Sequence, residues 1–320
     1  MLSKNRTYLL LVILVVALGL YFLLNNLGSD ESNFNTELPS FDTSLVNKIE
    51  LAPAAPNAPF HLLKENNHWY VELADKQYAA DPYLVSSVLS SMNGTNVKNV
   101  VATSSEQWET YNVTEESGTR VRFMKNNKPM ADLVLGRFEY IQPKSQMPDQ
   151  YGRRPQGEML SYVRISDEQQ VYAIDGMIAM GMGKKPEDFR NKRLVQIAKE
   201  NIIEVDFSYR DGGSFQLVRD NDKWKMGEIW ADSASMVTYL RNISSLRGKS
   251  FTDILPDVRE PYSELRIISG SSDPITLKAY EQDTSNYVIT SSQNPTNIFL
   301  EQKDLFEKAF VEKGYFLDVK

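Results

Sequence analysis

Few side chains in this sequence could do chemistry. There are two histidines, His61 and His68, and no cysteine among 320 residues. A metal site would need both histidines to meet a carboxylate, but they stand seven apart in a strand and a turn, a spacing with no shared helical face. The absence of cysteine removes thiolate metal sites, disulfides, Cys nucleophiles and a lipid-modified Cys anchor together. Asp81 and Asp232 could be paired as the two carboxylates of a glycosidase. Each also opens an apolar-periodic stretch, where an aspartate accepts from the free N–H groups of a first helical turn, and the capping reading is the simpler. Trp69 and Trp224 could stack on sugars or stand as core pillars, and their recurrence at one point of two similar stretches favours the core. The glycine-rich run GMIAMGMGKK, residues 176–185, fails as a phosphate loop, because Ile178 stands where the first glycine is required and Lys185 where the hydroxyl is. No serine sits in a Gly-x-Ser-x-Gly elbow. The sequence therefore assigns no catalytic residue, no cofactor and no metal ligand.

What positions these residues is a duplication. Residues 47–92 and 201–246 follow one pattern: Ile49-Glu50 aligns with Ile203-Glu204, Phe60 with Phe215, Trp69 with Trp224, and Ala80-Asp81 with Ala231-Asp232. Each copy begins with an alternating strand, a turn, and a second alternating strand. Asn66-Asn67 and Asn221-Asp222 then turn the chain into the strand that carries the tryptophan. A helix follows, with Leu84, Val88, Leu89 and Met92 on one face in the first copy and Met236, Tyr239, Leu240 and Ile243 in the second. Two more hairpins extend each unit. Tyr162-Val163 aligns with Tyr287-Val288, and Val171-Tyr172 with Ile298-Phe299. The expectation is an α+β chain of two tandem repeats, each an antiparallel sheet of hairpins packed on a helix, over residues 45–197 and 198–320. KKPEDFRNKRLVQ, residues 184–196, connects them.

Ahead of the repeats, Tyr8–Leu24 is uncharged and apolar, long enough as a helix for roughly 25 Å of hydrocarbon. It ends in Asn25-Asn26-Leu27 without an Ala-x-Ala cleavage site, so residues 1–27 read as a cytoplasmic tip and retained signal anchor. Lys4 and Arg6 precede it and Asp30, Glu31 and Glu37 follow. The positive-inside rule then places the N-terminus in the cytoplasm and the bulk outside, as a single-pass membrane protein. Residues 28–44 read as a polar stalk. Beyond the anchor, 33 basic residues face 42 acidic ones once Lys4 and Arg6 are set aside. Such a surface seeks neither nucleic acid nor anionic lipid.

One stretch departs from the duplication. IQPKSQMPDQYGRRPQGEMLS, residues 141–161, lies between two strands where the second copy has only a short turn. It is either a neutral insertion or a docking loop. In the second case Tyr140, Met147, Tyr151, Arg153 and Arg154 are the candidate partner-binding anchors.

The paired Trp69/Trp224 and Asp81/Asp232, Tyr162-Val163-Arg164 before Val171-Tyr172, and the run Phe189-Arg190-Asn191-Lys192-Arg193 together resemble a bacterial family, the domain of unknown function numbered forty-three-forty. The resemblance covers nearly the whole chain. It implies gene neighbourhoods shared with ATP-binding-cassette transporters of the gliding-motility type, and so a partner such as an ABC transporter permease within an inner-membrane complex. The expected function is that of a noncatalytic, membrane-anchored extracytoplasmic adaptor. The alternative is a cell-envelope glycan-binding module or glycan-acting enzyme that uses a cleft between the repeats.

Overall fold

A computed structural model of the chain describes residues 38–92, 95–143, 152, 156–257, 260–270 and 272–317. The expected anchor at 8–24 lies outside the described residues, and among those described no helix is long and apolar enough to cross a membrane. The fold class is α+β: two nine-stranded antiparallel sheets with short helices.

The first sheet is built from β1 (Lys48–Ala52), β2 (Phe60–Glu65), β3 (His68–Leu73), β4 (Lys76–Ala79), β5 (Val97–Ala102), β6 (Thr119–Lys125), β7 (Lys128–Ile141), β8 (Glu158–Ile165) and β9 (Val171–Asp175). The second comprises β10 (Ile202–Tyr209), β11 (Phe215–Asp220), β12 (Lys223–Met226), β13 (Ile229–Trp230), β14 (Ser250–Thr252), β15 (Ser263–Ser269), β16 (Ser272–Glu281), β17 (Asn286–Ser291) and β18 (Ile298–Gln302). Their orders are β4-β3-β2-β1-β6-β7-β8-β9-β5 and β13-β12-β11-β10-β15-β16-β17-β18-β14. Each strand of the first order has its counterpart in the second, which is the topology a duplication leaves.

The register makes the correspondence residue by residue. Ile49 pairs with Leu62 and Phe123, and Val205 pairs with Leu217 and Ile267, so Ile49 answers to Val205. The alignment of Ile49 with Ile203 is thereby corrected. Ile202 is wholly buried but Ile203 is 42% exposed, because the register of β10 shifts between Ile202 and Glu204 and the extra residue reverses which face follows. Likewise Val163 answers to Ile289 rather than Val288, since Val163 pairs with Leu135 and Tyr172, and Ile289 with Ala279 and Phe299. The matches of Phe60 with Phe215, Trp69 with Trp224, and Tyr172 with Phe299 keep their places.

Two helices per copy, rather than one, cover one face of its sheet: the shorter is Ile178–Met182 in the first copy, with Ala179 and Met182 buried, and Lys303–Ala309 in the second, with Leu305, Phe306 and Ala309 buried. In Pro82–Met92 the buried residues are Val85, Val88 and Met92, with Leu84 and Leu89 half-buried against the same core. In Ser233–Ile243 all of Met236, Tyr239, Leu240 and Ile243 are buried. Both N-termini are capped by aspartate: Asp81 Oδ1 accepts from the Tyr83 N–H at 3.0 Å and Asp232 Oδ1 from the Ser235 N–H at 2.8 Å. Trp224 is buried in the second core, whereas Trp69 is only partly buried at the edge of the first. Asn66 and Asn67 both take positive φ, 47° and 68°, as a two-residue hairpin of the primed type demands. Leu38 and Phe41, within the stretch read as stalk, pack on the first core instead, Phe41 against the Phe123 ring at 5.2 Å. Two apolar side chains three residues apart suffice to tie down the end of that segment.

The first sheet also carries a small second core on its opposite face, with Val113, Val134, Leu160, Tyr162 and Val171 buried beneath Trp108 and Tyr111. Arg164 holds this cover in place. Only 2% exposed, it donates to the carbonyls of Val113 (3.0 Å) and Ser166 (2.8 Å) and to Glu115 Oε1 (3.1 Å), under the Trp108 ring at 4.0 Å. Burial of a guanidinium is tolerated because its donors are met.

Candidate functional site

Two places combine the features that functional sites need, the junction of the repeats and the arm that carries the insertion. At the junction the connector enters both cores within a few residues. Phe189 is wholly buried in the first core, and Leu194 and Val195 are wholly buried in the second. Between them the chain is fastened by backbone bonds to each side: Asn191 N–H to the Ala79 carbonyl (2.7 Å), Leu194 N–H to Leu246 (2.9 Å), and Gly248 N–H to Lys192 (2.8 Å).

Arg190 is the centre of this junction. Its guanidinium lies between the Tyr78 ring of the first repeat at 3.7 Å and the Phe251 ring of the second at 4.0 Å. Its Nε donates to Asn297 Oδ1 at 2.8 Å, and its Nη1 stands 3.6 Å from Asp253 Oδ1. Nη2 is buried without a hydrogen-bond partner among the described residues. Burial lowers the affinity of this guanidinium for its proton, and the Asp253 carboxylate acts the other way. A cavity of ≈ 400 Å³ opens beside it, lined by Glu187, Asp188, Asp253, Lys192 and Lys249. Asn297 Nδ2 donates to the Ala79 carbonyl (3.0 Å), Thr296 Oγ1 accepts from the Ala79 N–H (2.8 Å), and Arg247 Nη2 reaches Asp81 Oδ2 (3.0 Å). Each of these ties joins one copy to the other.

Asp81 and Asp232, read as a possible pair, are not brought together. They cap helices of different cores, and the group that approaches Asp81 is Arg247. His61 Nδ1 lies 3.2 Å from Glu72 Oε2, and His68 Nδ1 lies 3.0 Å from the Asn66 carbonyl. Among the described residues no three of His, Cys, Asp and Glu stand where they could share a metal ion.

The arm is a continuation of the β7–β8 hairpin beyond the body of the first sheet. Tyr140 pairs with Met159 and Ile141 with Glu158, after a register shift between Leu135 and Phe138 that kinks the strand. β7 runs for 14 residues where β16 has 10. Of the sequence candidates, Tyr140 is in place, 49% exposed on this arm. Met147, Tyr151, Arg153 and Arg154 lie outside the described residues. The structure adds neighbours that the sequence did not single out. Met159 is directly opposite Tyr140, and its carbonyl accepts from the Gly176 N–H at 2.8 Å. That bond brings the Ile178–Met182 helix alongside, where Met177 and Met180 are 46% and 61% exposed. The face turned to solvent thus holds a tyrosine and three methionines, a polarizable surface that adapts to a partner. Gly157 fixes the tyrosine, since any side chain there would collide with the Tyr140 ring, 2.4 Å from where its Cβ would stand.

A family model matches residues 69–265. The chain belongs to the family described as Domain of unknown function, DUF4340. The matched span starts on β3 of the first copy and ends on β15 of the second, so in DUF4340 terms it takes in parts of both sheets and the whole connector between them. No curated protein and no solved structure matches the chain.

Proposed function

We propose that this DUF4340 chain is a noncatalytic accessory protein, held in an inner membrane by residues 8–24 with its repeats on the extracytoplasmic side, that binds a protein of an ABC-transporter-type or envelope complex. The observation that carries the reading is the exposed Tyr140–Met159–Met177–Met180 face at the base of the 141–161 insertion. In the second copy the same hairpin closes without an insertion, so the fold itself does not require that face. The junction supports the reading from the other side. Two cores pegged by one connector and cross-bonded through Arg190, Asn297 and Arg247 make a stiff body that can present a docking face in a fixed orientation. The gene neighbourhood implied by the family points to a transporter permease as partner.

The test is affinity capture of the full-length protein from its native host in mild detergent. It is run beside a variant lacking residues 142–157 and a second carrying Met180→Glu, with mass spectrometry as readout. Transporter or envelope subunits that copurify with the intact chain and are lost with both variants support the adaptor. Recovery of the bait alone, or of the same partners with all three proteins, overturns it.

A further inference from the structure

The contact between the two repeats uses two different surfaces. The first repeat offers β4 and the turn into the Pro82–Met92 helix, where Tyr78 lies against Arg190 and the Ala79 N–H donates to Thr296 Oγ1. The second repeat offers β14 and the turn before β18, where Phe251 covers the other side of Arg190 and Asn297 Nδ2 donates to the Ala79 carbonyl. Because the chain is a duplication, each repeat carries both surfaces. One of each kind is left over, the first kind on the second repeat and the second kind on the first.

The strand register locates the two spare surfaces. Lys225 pairs with Trp230 and Met226 with Ile229 as Tyr70 pairs with Ala79 and Val71 with Tyr78, so Ile229 answers to Tyr78 and Trp230 to Ala79. The Asp232 N–H donates to the Phe316 carbonyl as the Asp81 N–H donates to that of Phe189, which sets Leu317 in the place of Arg190. At the other end Phe251 pairs with Phe299 as Val100 pairs with Tyr172, so Val100 answers to Phe251. Gln169 and Gln170 precede β9 as Thr296 and Asn297 precede β18. The spare surface of the second repeat is open and apolar. Tyr78 is 6% exposed, but Ile229 is 51% and Trp230 49% exposed, with Lys225 Nζ over one side of the Trp230 ring at 4.3 Å. Among the described residues no side chain bonds the Trp230 backbone as Thr296 and Asn297 bond that of Ala79. On the first repeat Gln169 is exposed and Val100 half-buried.

We infer that the spare surface of the second repeat binds the spare surface of the first repeat of another molecule of this chain, head to tail. The two ends differ from the junction in matching ways. In the junction a guanidinium lies between two rings, with the Asp253 carboxylate 3.6 Å from it. Between molecules Leu317 takes the place of that guanidinium, with Ile229 on one side and Val100 on the other. Thr252 pairs with Ile298 as Ala102 pairs with Val171, so Asp253 answers to Thr103. Charge and counter-charge are thus lost together, on residues at opposite ends of the molecule, and an aliphatic set remains. The polar ties keep their kind, since Gln169 and Gln170 supply the acceptor and the donor that Thr296 and Asn297 supply in the junction. An unrelated partner would require no such match. Two unlike surfaces make a heterologous contact, which extends into a row of molecules unless the rotation closes a ring. The turn between β8 and β9 lies at the far end of β8 from Glu158 on the insertion arm, so this contact leaves the arm free and stands or falls apart from the adaptor reading.

The experiment is sedimentation equilibrium of the full-length protein in mild detergent, at concentrations up to about 0.5 mM, beside two variants that each spoil one end. Ile229→Glu puts a charge into the aliphatic set, and Gln169→Arg crowds the other surface. Both positions are exposed, so the fold is kept, and the melting curves verify this. Expected is concentration-dependent association of the unmutated protein, weakened about tenfold or more by either variant and unchanged by Met180→Glu. An equimolar mixture of the two variants recovers association but stops at one molecule of each, because each keeps the end that the other has lost. An unmutated protein that stays monomeric over the whole range overturns the inference. So does association indifferent to both variants, which would place the contact in another part of the chain. Loss with only one variant, or a mixture that fails to recover, equally overturns it, since a head-to-tail contact needs both ends.

Discussion

Arg247 of the second repeat and Asp81 of the first are joined at 3.0 Å through Nη2 and Oδ2, while the other oxygen of the same carboxylate caps the Pro82–Met92 helix. One side chain therefore does two jobs, and its counterpart Asp232 caps the corresponding helix of the second copy. Asp232→Ala removes a cap and is expected to cost about 1 kcal/mol. Asp81→Ala removes the cap and also a charged hydrogen bond, of which Arg247 is partly solvated, and should cost roughly 2 kcal/mol. Denaturant midpoints of the two variants decide it. A loss in Asp81→Ala no larger than about 1 kcal/mol, the worth of a cap by itself, would mean that the bridge between the repeats contributes nothing.

Arg190 is the second place where the copies depend on each other. Arg190→Ala leaves a gap between the Tyr78 and Phe251 rings and strips Asn297 Oδ1 of its donor. A loss of about 3 kcal/mol is expected, in line with breaking a buried charged contact. The unfolding transition should also separate into two, because each repeat keeps its own core while the shared contacts weaken. Arg190→Lys would not restore the wild-type behaviour, since an ammonium lacks the planar face that two rings can sandwich. Calorimetry that finds a single, unshifted transition in the alanine variant would remove Arg190 from the junction's energetics.

How much of this could be read from the sequence depended on how local the signal was. Both caps, both helical faces, the asparagine turn and the place of the tryptophans follow from residue type and short spacing. The outer strands do not. β4 and β13 are only 4 and 2 residues long, and β5 and β14 return from the helix to close the far edge next to β9 and β18. Pairings of such sequence separation leave no periodic trace in a short segment. The shift at Ile202–Glu204 was hidden for another reason, since a run such as NIIEV offers two isoleucines and alternation alone cannot say which one turns inward. Of the docking candidates Tyr140 was legible as the aromatic residue at the edge of an unmatched segment, but Met159 gains meaning only from the register that sets it opposite.

The tryptophans give a graded prediction. Trp224 is 7% exposed in the second core, and Trp224→Ala should cost about 3–5 kcal/mol. Trp69 answers to it in register but is only partly buried, so Trp69→Ala should cost less, on the order of 1–2 kcal/mol. Chemical denaturation of the two variants measures the difference. An equal loss would show that partial exposure at the edge of the first sheet does not weaken the pillar.

The last prediction concerns alkaline pH. Tyr162 lies in the small second core of the first sheet and donates to Glu139 Oε2 at 2.6 Å. Burial first, and then that carboxylate, pushes its phenol up to about 12. An acid whose pKa is higher folded than unfolded binds its proton more tightly in the folded state, so below the ordinary phenol value, near 10, the folded form keeps its full advantage. As pH rises from about 10 towards 12 the unfolded chain releases the proton first, and that part of the stability is lost. Burial raises Tyr172 and Tyr209 in the same direction, and Tyr239 as well, so several tyrosines contribute to one alkaline transition. Absorbance of the phenolate, followed with pH, should show the exposed tyrosines titrating first and the buried set ionising only together with loss of structure. In Tyr162→Phe the alkaline midpoint should move upward, because one group that draws the chain toward the unfolded state at high pH is gone. Stability near neutrality should fall at the same time by about 1 kcal/mol, for the lost hydrogen bond to Glu139. A midpoint that stays where it was would place the first sheet's minor core outside the alkaline transition and leave Tyr172, Tyr209 and Tyr239 to account for it.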